Sequence, residues 1–287
     1  PGGALTITGF GSLDNSGDII ATGGTFTLSG YTTLNNTGDI EIGAGRAFNI
    51  TGGTINQQAG TLGGDGAINV SSATIDVTGT WTPGPGRLAL TNAIVTGTGT
   101  VINAGTIAGQ NFTFDADLVN QGLLDTYRTT ANAINGAFSN ELGATLRLRG
   151  DAYYSSAQRY SAVVIADGFT NAGRIELLNF TTQYNWYATQ TTLTVTSGVL
   201  VNASTGVIQV YTPYSHSATQ INASIDNQGV MNIQHSAVLD QPGTTFTNSG
   251  TVNVTGGGLT IDEQATINNS GLIEATGANI AITDFTT

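Results

Sequence analysis

Phe246-Thr247-Asn248-Ser249-Gly250-Thr251-Val252-Asn253-Val254 is the stretch that decides the fold. It runs apolar, polar, Asn, small, Gly, polar, apolar. The same order recurs at Leu13–Ile19, Leu34–Ile40, Ile102–Ile107, Phe169–Ile175, Ile225–Val230 and Ile267–Ile273, with looser copies at Val119–Leu123, Phe138–Asn140 and Leu200–Asn202. The Asn markers set a beat. Asn15 to Asn36, Asn227 to Asn248 and Asn248 to Asn269 are each 21 residues, and Gln57 takes the marker's place 21 after Asn36. From Gln57 to Asn103 the gap is 46 residues, which reads as two long repeats with a degenerate marker near Trp81.

A beat near 21 made of short alternating runs, such as Thr192-Leu193-Thr194-Val195-Thr196, predicts coils of two or three strands with tight turns. One coil cannot bury its own apolar residues, so coils must stack and pair each strand with its counterpart one turn on. The predicted fold is all-β: a right-handed parallel β-helix (β-solenoid) of about 12–13 coils of roughly 21 residues. We read residues 1–287 as a single β-helix domain. Residues 1–125 and 221–287 are regular coils; residues 126–220 carry extended loops. In this scheme Asn15, Asn36, Asn103, Asn171, Asn227, Asn248 and Asn269 are structural corner residues. Asn and Gly tolerate the left-handed backbone of a tight corner, and a stacked Asn satisfies corner backbone groups.

Composition narrows the function. Charged residues are 9% of the chain, net charge is −12 and all seven basic residues are Arg, so DNA, RNA and anionic membranes are repelled. Nucleic acid is excluded as a partner, and no apolar run is long enough for membrane insertion by this segment. There is no cysteine. The start at Pro1-Gly2-Gly3 reads as a mature or excised piece.

The beat stretches in the middle. Asn140 to Asn171 and Asn171 to Asn202 are 31 residues each. The excess falls near Asp151–Val163, Asn179–Gln190 and Tyr211–Gln220, and is expected to leave as loops that emerge side by side. Eight of nine tyrosines lie between Tyr127 and Tyr214, and five of seven arginines between Arg128 and Arg174. Tyr153, Tyr154, Arg159, Tyr160, Tyr184, Trp186, Tyr187, Tyr211 and Tyr214 are the candidate ligand-binding residues. Aromatic rings stack on sugar faces while Arg, Asn and Asp bond hydroxyls, and exposed Tyr and Arg also anchor protein interfaces. The same residues could instead pack the loops onto the coil.

Other chemistries have less behind them. Asp115, Asp117 and Asp125 with Arg128 are the candidate carboxylates of a polysaccharide-degrading enzyme, but they are also ordinary turn residues. No catalytic residue is assigned and the chain reads as a non-enzyme. Gly63-Gly64-Asp65-Gly66 is one unrepeated fragment of a calcium-binding run, and His216 and His235 stand alone. No metal site and no cofactor are expected.

The Phe-Thr-Asn-Ser-Gly-Thr-Val-Asn-Val and Ile-Asn-Asn-Ser-Gly-Leu-Ile-Glu-Ala units resemble the β-solenoid passengers of large bacterial surface adhesins, the autotransporter or filamentous-haemagglutinin-like exoproteins. The resemblance covers most of the chain and is one of repeat style. It implies a right-handed β-helix at the bacterial cell surface or outside the cell, acting as an adhesin or structural stalk. The implied partners are a host or kin cell-surface glycan or protein, or self-association. It brings no catalytic residues. A polysaccharide lyase or glycoside hydrolase, or a ligand-free scaffold, are the alternative expectations.

Overall fold

The computed structural model describes residues 4–9, 11–127, 129–152, 159–181, 189–211, 218–263 and 266–283. Among them the regular elements are all β-strands. The strands pair in parallel and stack into β-solenoid turns, about twelve of them, with spacing near 21 residues. The chain forms two units, Pro1–Leu124 with Ala133–Ala137, and Asp125–Asn132 with Phe138–Thr287.

In the first unit a coil opens as three short strands. Leu5–Thr8, Ser12–Asn15 and Asp18–Ala21 lie on Phe26–Ser29, Thr33–Asn36 and Asp39–Ile42. Alternation sends Phe26 and Leu28 inward, where they stack on Phe48 and Ile50. The Phe26 and Phe48 rings lie 4.3 Å apart and nearly parallel. Burying one such side chain contributes about 1.5–3 kcal/mol, and only the neighbouring coil makes that burial possible.

The marker residue ends a strand and points inward. Asn15 Nδ2 donates to Asn36 Oδ1 at 2.8 Å, and Asn36 Nδ2 to Gln57 Oε1 at 2.8 Å. There this ladder stops: Gln57 turns back to Ala59 O at 2.9 Å, and the next residue in register is Val77. A second ladder begins elsewhere on the coil, with Asn103 Nδ2 donating to Asn120 Oδ1 at 2.7 Å. Asn15, Asn36 and Gln57 end the middle strand of their coils. Asn103 and Asn120 end the third strand, immediately before the next turn's first strand. The motif therefore serves two different corners. The 46-residue gap is a change of corner, and the strand Thr80–Trp81 marks it. Trp81 Nε1 donates to Leu62 O at 2.7 Å in the core.

The glycine of the Asn-small-Gly motif is not left-handed. None of the motif glycines Gly17, Gly38, Gly105, Gly122, Gly250 and Gly271 has positive φ. They are glycines because the corners stack closely: a Cβ on Gly38 would lie 2.2 Å from Gly17 O, and one on Gly250 2.1 Å from Gly229 O. Gly60 (φ 65°) after Gln57 and Gly143 (φ 84°) after Asn140 are left-handed, and a regular run of left-handed residues occupies a different corner, the one directly after the first strand. Gly30 (φ 63°), Gly52 (φ 73°), Ser72 (φ 51°), Asn92 (φ 49°) and Asn111 (φ 53°) stand there.

The second unit keeps the marker ladder unbroken. Asn140, Asn171, Asn202, Asn227, Asn248 and Asn269 are joined amide to amide at 2.6–2.7 Å. Beneath it Leu146, Ile175, Ile208, Met231 and Val252 stack in register. The centres of the expected loops, residues 153–158, 182–188 and 212–217, lie outside the described residues. Part of the added length goes into the strands themselves, as Thr145–Ala152, Arg174–Thr181 and the 14-residue Thr189–Asn202. These residues continue the period-two pattern, so pairing with the next turn satisfies their backbone. The strands run past the apolar core, and their inner positions become polar. Thr126 and Ser161 hydroxyls meet at 3.2 Å, Thr191 and Thr219 at 3.3 Å, and Asn179 Nδ2 donates to Thr219 Oγ1 at 3.2 Å. Mutual hydrogen bonding is what allows such groups to be buried.

Candidate functional site

The site grows from the first strands of the second unit's long coils. Thr145–Ala152, Arg174–Thr181 and Val207–Tyr211 pair so that Arg147, Glu176 and Gln209 share one row, and Arg149, Leu178 and Tyr211 the next. Leu146, Leu148, Ile175, Leu177, Ile208 and Val210 take the inward positions. Alternation then forces both rows outward on one face.

That face is a shallow open groove of about 580 Å³, walled by Arg147, Arg149, Leu178, Gln209, Tyr211 and Gln234. Its cations are held by carboxylates. Arg147 Nε donates to Glu176 Oε2 at 2.7 Å, and Arg174 approaches the same carboxylate at 3.8 Å. Arg149 forks onto Asp125, Nε to Oδ1 at 2.8 Å and Nη2 to Oδ2 at 2.7 Å. Its guanidinium also lies over the Tyr127 ring, 5.4 Å from the centroid. A bidentate pair with an aromatic floor fixes the guanidinium plane, leaving its outer N–H edge toward solvent. Tyr211 is 43% exposed, so its ring presents a face to the groove.

The amides extend the site. Asn253 Nδ2 donates to Asn232 Oδ1 at 3.1 Å, Asn232 Nδ2 to Gln209 Oε1 at 3.3 Å, and Gln209 Nε2 to Gln234 Oε1 at 2.9 Å. A second hollow of about 210 Å³ adjoins through Gln234, Asn232 and Asn253 and runs to Glu274 and Thr276.

Of the residues singled out from sequence, Tyr211 lines this groove. Tyr160 is half-buried on the strand Arg159–Ile165. Arg159 opens that strand, and its side chain lies outside the described part. Tyr153, Tyr154, Tyr184, Trp186, Tyr187, Tyr214, Arg128 and His216 lie outside the described residues. Arg147, Arg149, Glu176, Gln209 and Gln234 were not singled out. Their signal was the alternation in Leu146-Arg147-Leu148-Arg149 and Ile175-Glu176-Leu177, where one face is apolar and the other long and polar.

The carboxylates considered for hydrolysis have other partners. Asp115 accepts from Asn135 Nδ2 at 2.7 Å, Asp117 from Ala137 N at 2.9 Å, and Asp125 holds Arg149. Among the described residues no three His, Cys, Asp or Glu side chains form a metal-binding cluster. In the first unit, Asp18, Asp39 and Glu41 line an acidic hollow of about 470 Å³, where Asp39 accepts from Thr61 N and Oγ1.

No protein-family model matches the chain, and no curated protein does. Among solved structures, the crystal structure of a TibC-catalysed hyper-glycosylated TibA fragment, residues 55–350, is similar at 16% identity. The match covers 97% of this chain and 99% of that one, at a TM-score of 0.26. A TM-score that low carries no argument about what this chain does.

Proposed function

We propose that this chain is part of an extracellular β-helix of the bacterial surface that works in attachment, as an adhesin or structural stalk. Recognition of a host or kin glycan or protein is assigned to the outward groove of the second unit. One observation carries the reading. Fixed guanidiniums, a chain of side-chain amides and an exposed Tyr211 ring converge on one open face. Such a set offers hydrogen bonds and a stacking surface without placing a nucleophile or a proton donor at a reacting atom. The repeat style described above is what suggests the cell surface.

The test is a glycan array together with binding to host and kin cells, repeated with Tyr211→Ala and Arg147→Ala. Binding lost in both variants supports the groove. Binding retained at full strength in both sinks it. Incubation with polysaccharides, watched for new reducing ends or unsaturated products, separates recognition from cleavage; cleavage would replace this reading with the enzymatic one.

A further inference from the structure

We infer that the groove binds an uncharged, linear polysaccharide, laid across the strands along the direction in which the coils stack. The inference rests on the recognition reading above and adds the ligand class and its direction. Three observations lead to it.

First, the groove repeats. Arg147, Glu176, Gln209, Asn232, Asn253 and Glu274 are successive register partners on one face. The neighbouring row starts Arg149, Leu178, Tyr211. Backbone bonds carry it on through Gln234 and Thr255, with Gln234 N donating to Val210 O and Thr255 N to Ile233 O, each at 2.9 Å. Strand spacing puts a new pair of polar side chains every ~4.8 Å, so the row spans about 24 Å. A ligand that exploits this must itself repeat along its length.

Second, the amides have capacity left. Each side-chain amide carries two donor hydrogens and two acceptor lone pairs. Asn232 and Gln209 each spend one donor and one acceptor within the ladder, and so retain one of each. Hydroxyl groups, which both donate and accept, match that pattern at these two steps. A protein partner would need an apolar centre of substantial area, and Leu178 and the Tyr211 ring are the groove's large apolar surfaces.

Third, the charges balance along the face. Arg147, Arg149 and Arg174 stand with Asp125 and Glu176 at one end, where the two closest pairs are made at 2.7 Å, and Glu274 stands at the other end. The chain as a whole carries −12. A polyanion meets Glu274 at one end of the row, and a polycation meets guanidiniums at the other. The uncharged polymer is the one the electrostatics admit.

The probe is a set of neutral oligosaccharides of two to eight units, built from glucose, mannose, galactose, xylose or N-acetylglucosamine. Galacturonate oligomers of the same lengths serve as the anionic arm. Binding is read by titration calorimetry at two salt concentrations. For at least one neutral series, affinity is expected to rise roughly threefold to tenfold per added unit and to level off near five, without steep salt dependence. The double variant Gln234→Ala/Asn253→Ala, which removes two amides of the rows, is expected to weaken the hexamer about tenfold. Affinity independent of length, a hexamer indifferent to that variant, or preference for the galacturonate series with steep salt dependence would each overturn the inference. The cell-binding assay is scored separately. Adhesion without binding of any neutral oligomer overturns the ligand class and leaves the adhesive reading standing. Length-graded binding without adhesion does the reverse.

Discussion

The outward row of the first strands reads Thr6, Thr27, Asn49, Asn69, Ala89, Ala108 in the first unit. In the second unit it reads Arg147, Glu176, Gln209, Asn232, Asn253, Glu274. Parallel pairing and an inward apolar ladder are common to both. Along these two rows the length and charge of the side chains differ. In the first row Asn69 Nδ2 reaches Asn49 Oδ1 at 2.8 Å, and the residues beyond, Ala89 and the buried Ala108, are short. In the second, long side chains stand up and enclose a groove. A solenoid can thus carry a groove on some turns and a plain face on others, because the fold is held by the inward residues.

The marker ladders offer the sharpest way to break this contrast. Asn202 accepts from Asn171 and donates to Asn227 within the second unit's unbroken run. Asn202→Ala leaves two buried amide groups without those partners and is expected to cost about 3–5 kcal/mol. Asn35→Ala, which removes one exposed and one half-buried rung, is expected to cost no more than about 1 kcal/mol. Urea unfolding midpoints compare the two, and equal losses would refute a buried ladder that matters.

Glycine replacement comes next. Gly250→Ala forces a Cβ to 2.1 Å from Gly229 O and should destabilise by about 1–3 kcal/mol, although the backbone there suits any residue. Gly17 occupies the same place in the motif on the first turn and has nothing within 4 Å, so Gly17→Ala is expected to be neutral. A large loss at Gly17 would return the explanation to backbone conformation.

For the faces themselves, Tyr211→Ala is expected to weaken carbohydrate binding about tenfold, or ~1.4 kcal/mol. Asn69→Ala on the plain row should leave it unchanged; an equal loss there would remove the distinction between the rows.

The smallest effect concerns Tyr31 of the first unit. Burial raises its phenol above the ordinary value of about 10. The unfolded chain then releases this proton at lower pH than the folded one. Stability contributed by the neutral phenol is present below pH ~10 and falls as pH rises beyond it. Tyr31→Phe should flatten the alkaline branch of a stability–pH curve, and an unchanged branch would place its origin elsewhere.

The fold was legible because period-two alternation inside a 21-residue beat leaves few alternatives to stacked parallel coils. Which corner the marker occupies was not legible. Leu34-Asn35-Asn36-Thr37-Gly38 and Ile102-Asn103-Ala104-Gly105 look alike locally, and only pairing with the turns on either side puts one after the middle strand and the other after the third. The glycines were misread for a related reason. A positive φ leaves a local trace in residue choice, whereas a carbonyl from the previous turn pressing on Cα leaves none. The richness of the middle in Tyr and Arg was plain in the chain. The convergence of Arg147, Arg149, Gln209 and Tyr211 was not, since they come together through register across turns up to 33 residues apart. Sequence alone thus determined the kind of fold and which positions point inward, both local consequences of alternation. Tertiary stacking decided which outward residues become neighbours, because the offset between turns depends on how much chain each turn absorbs.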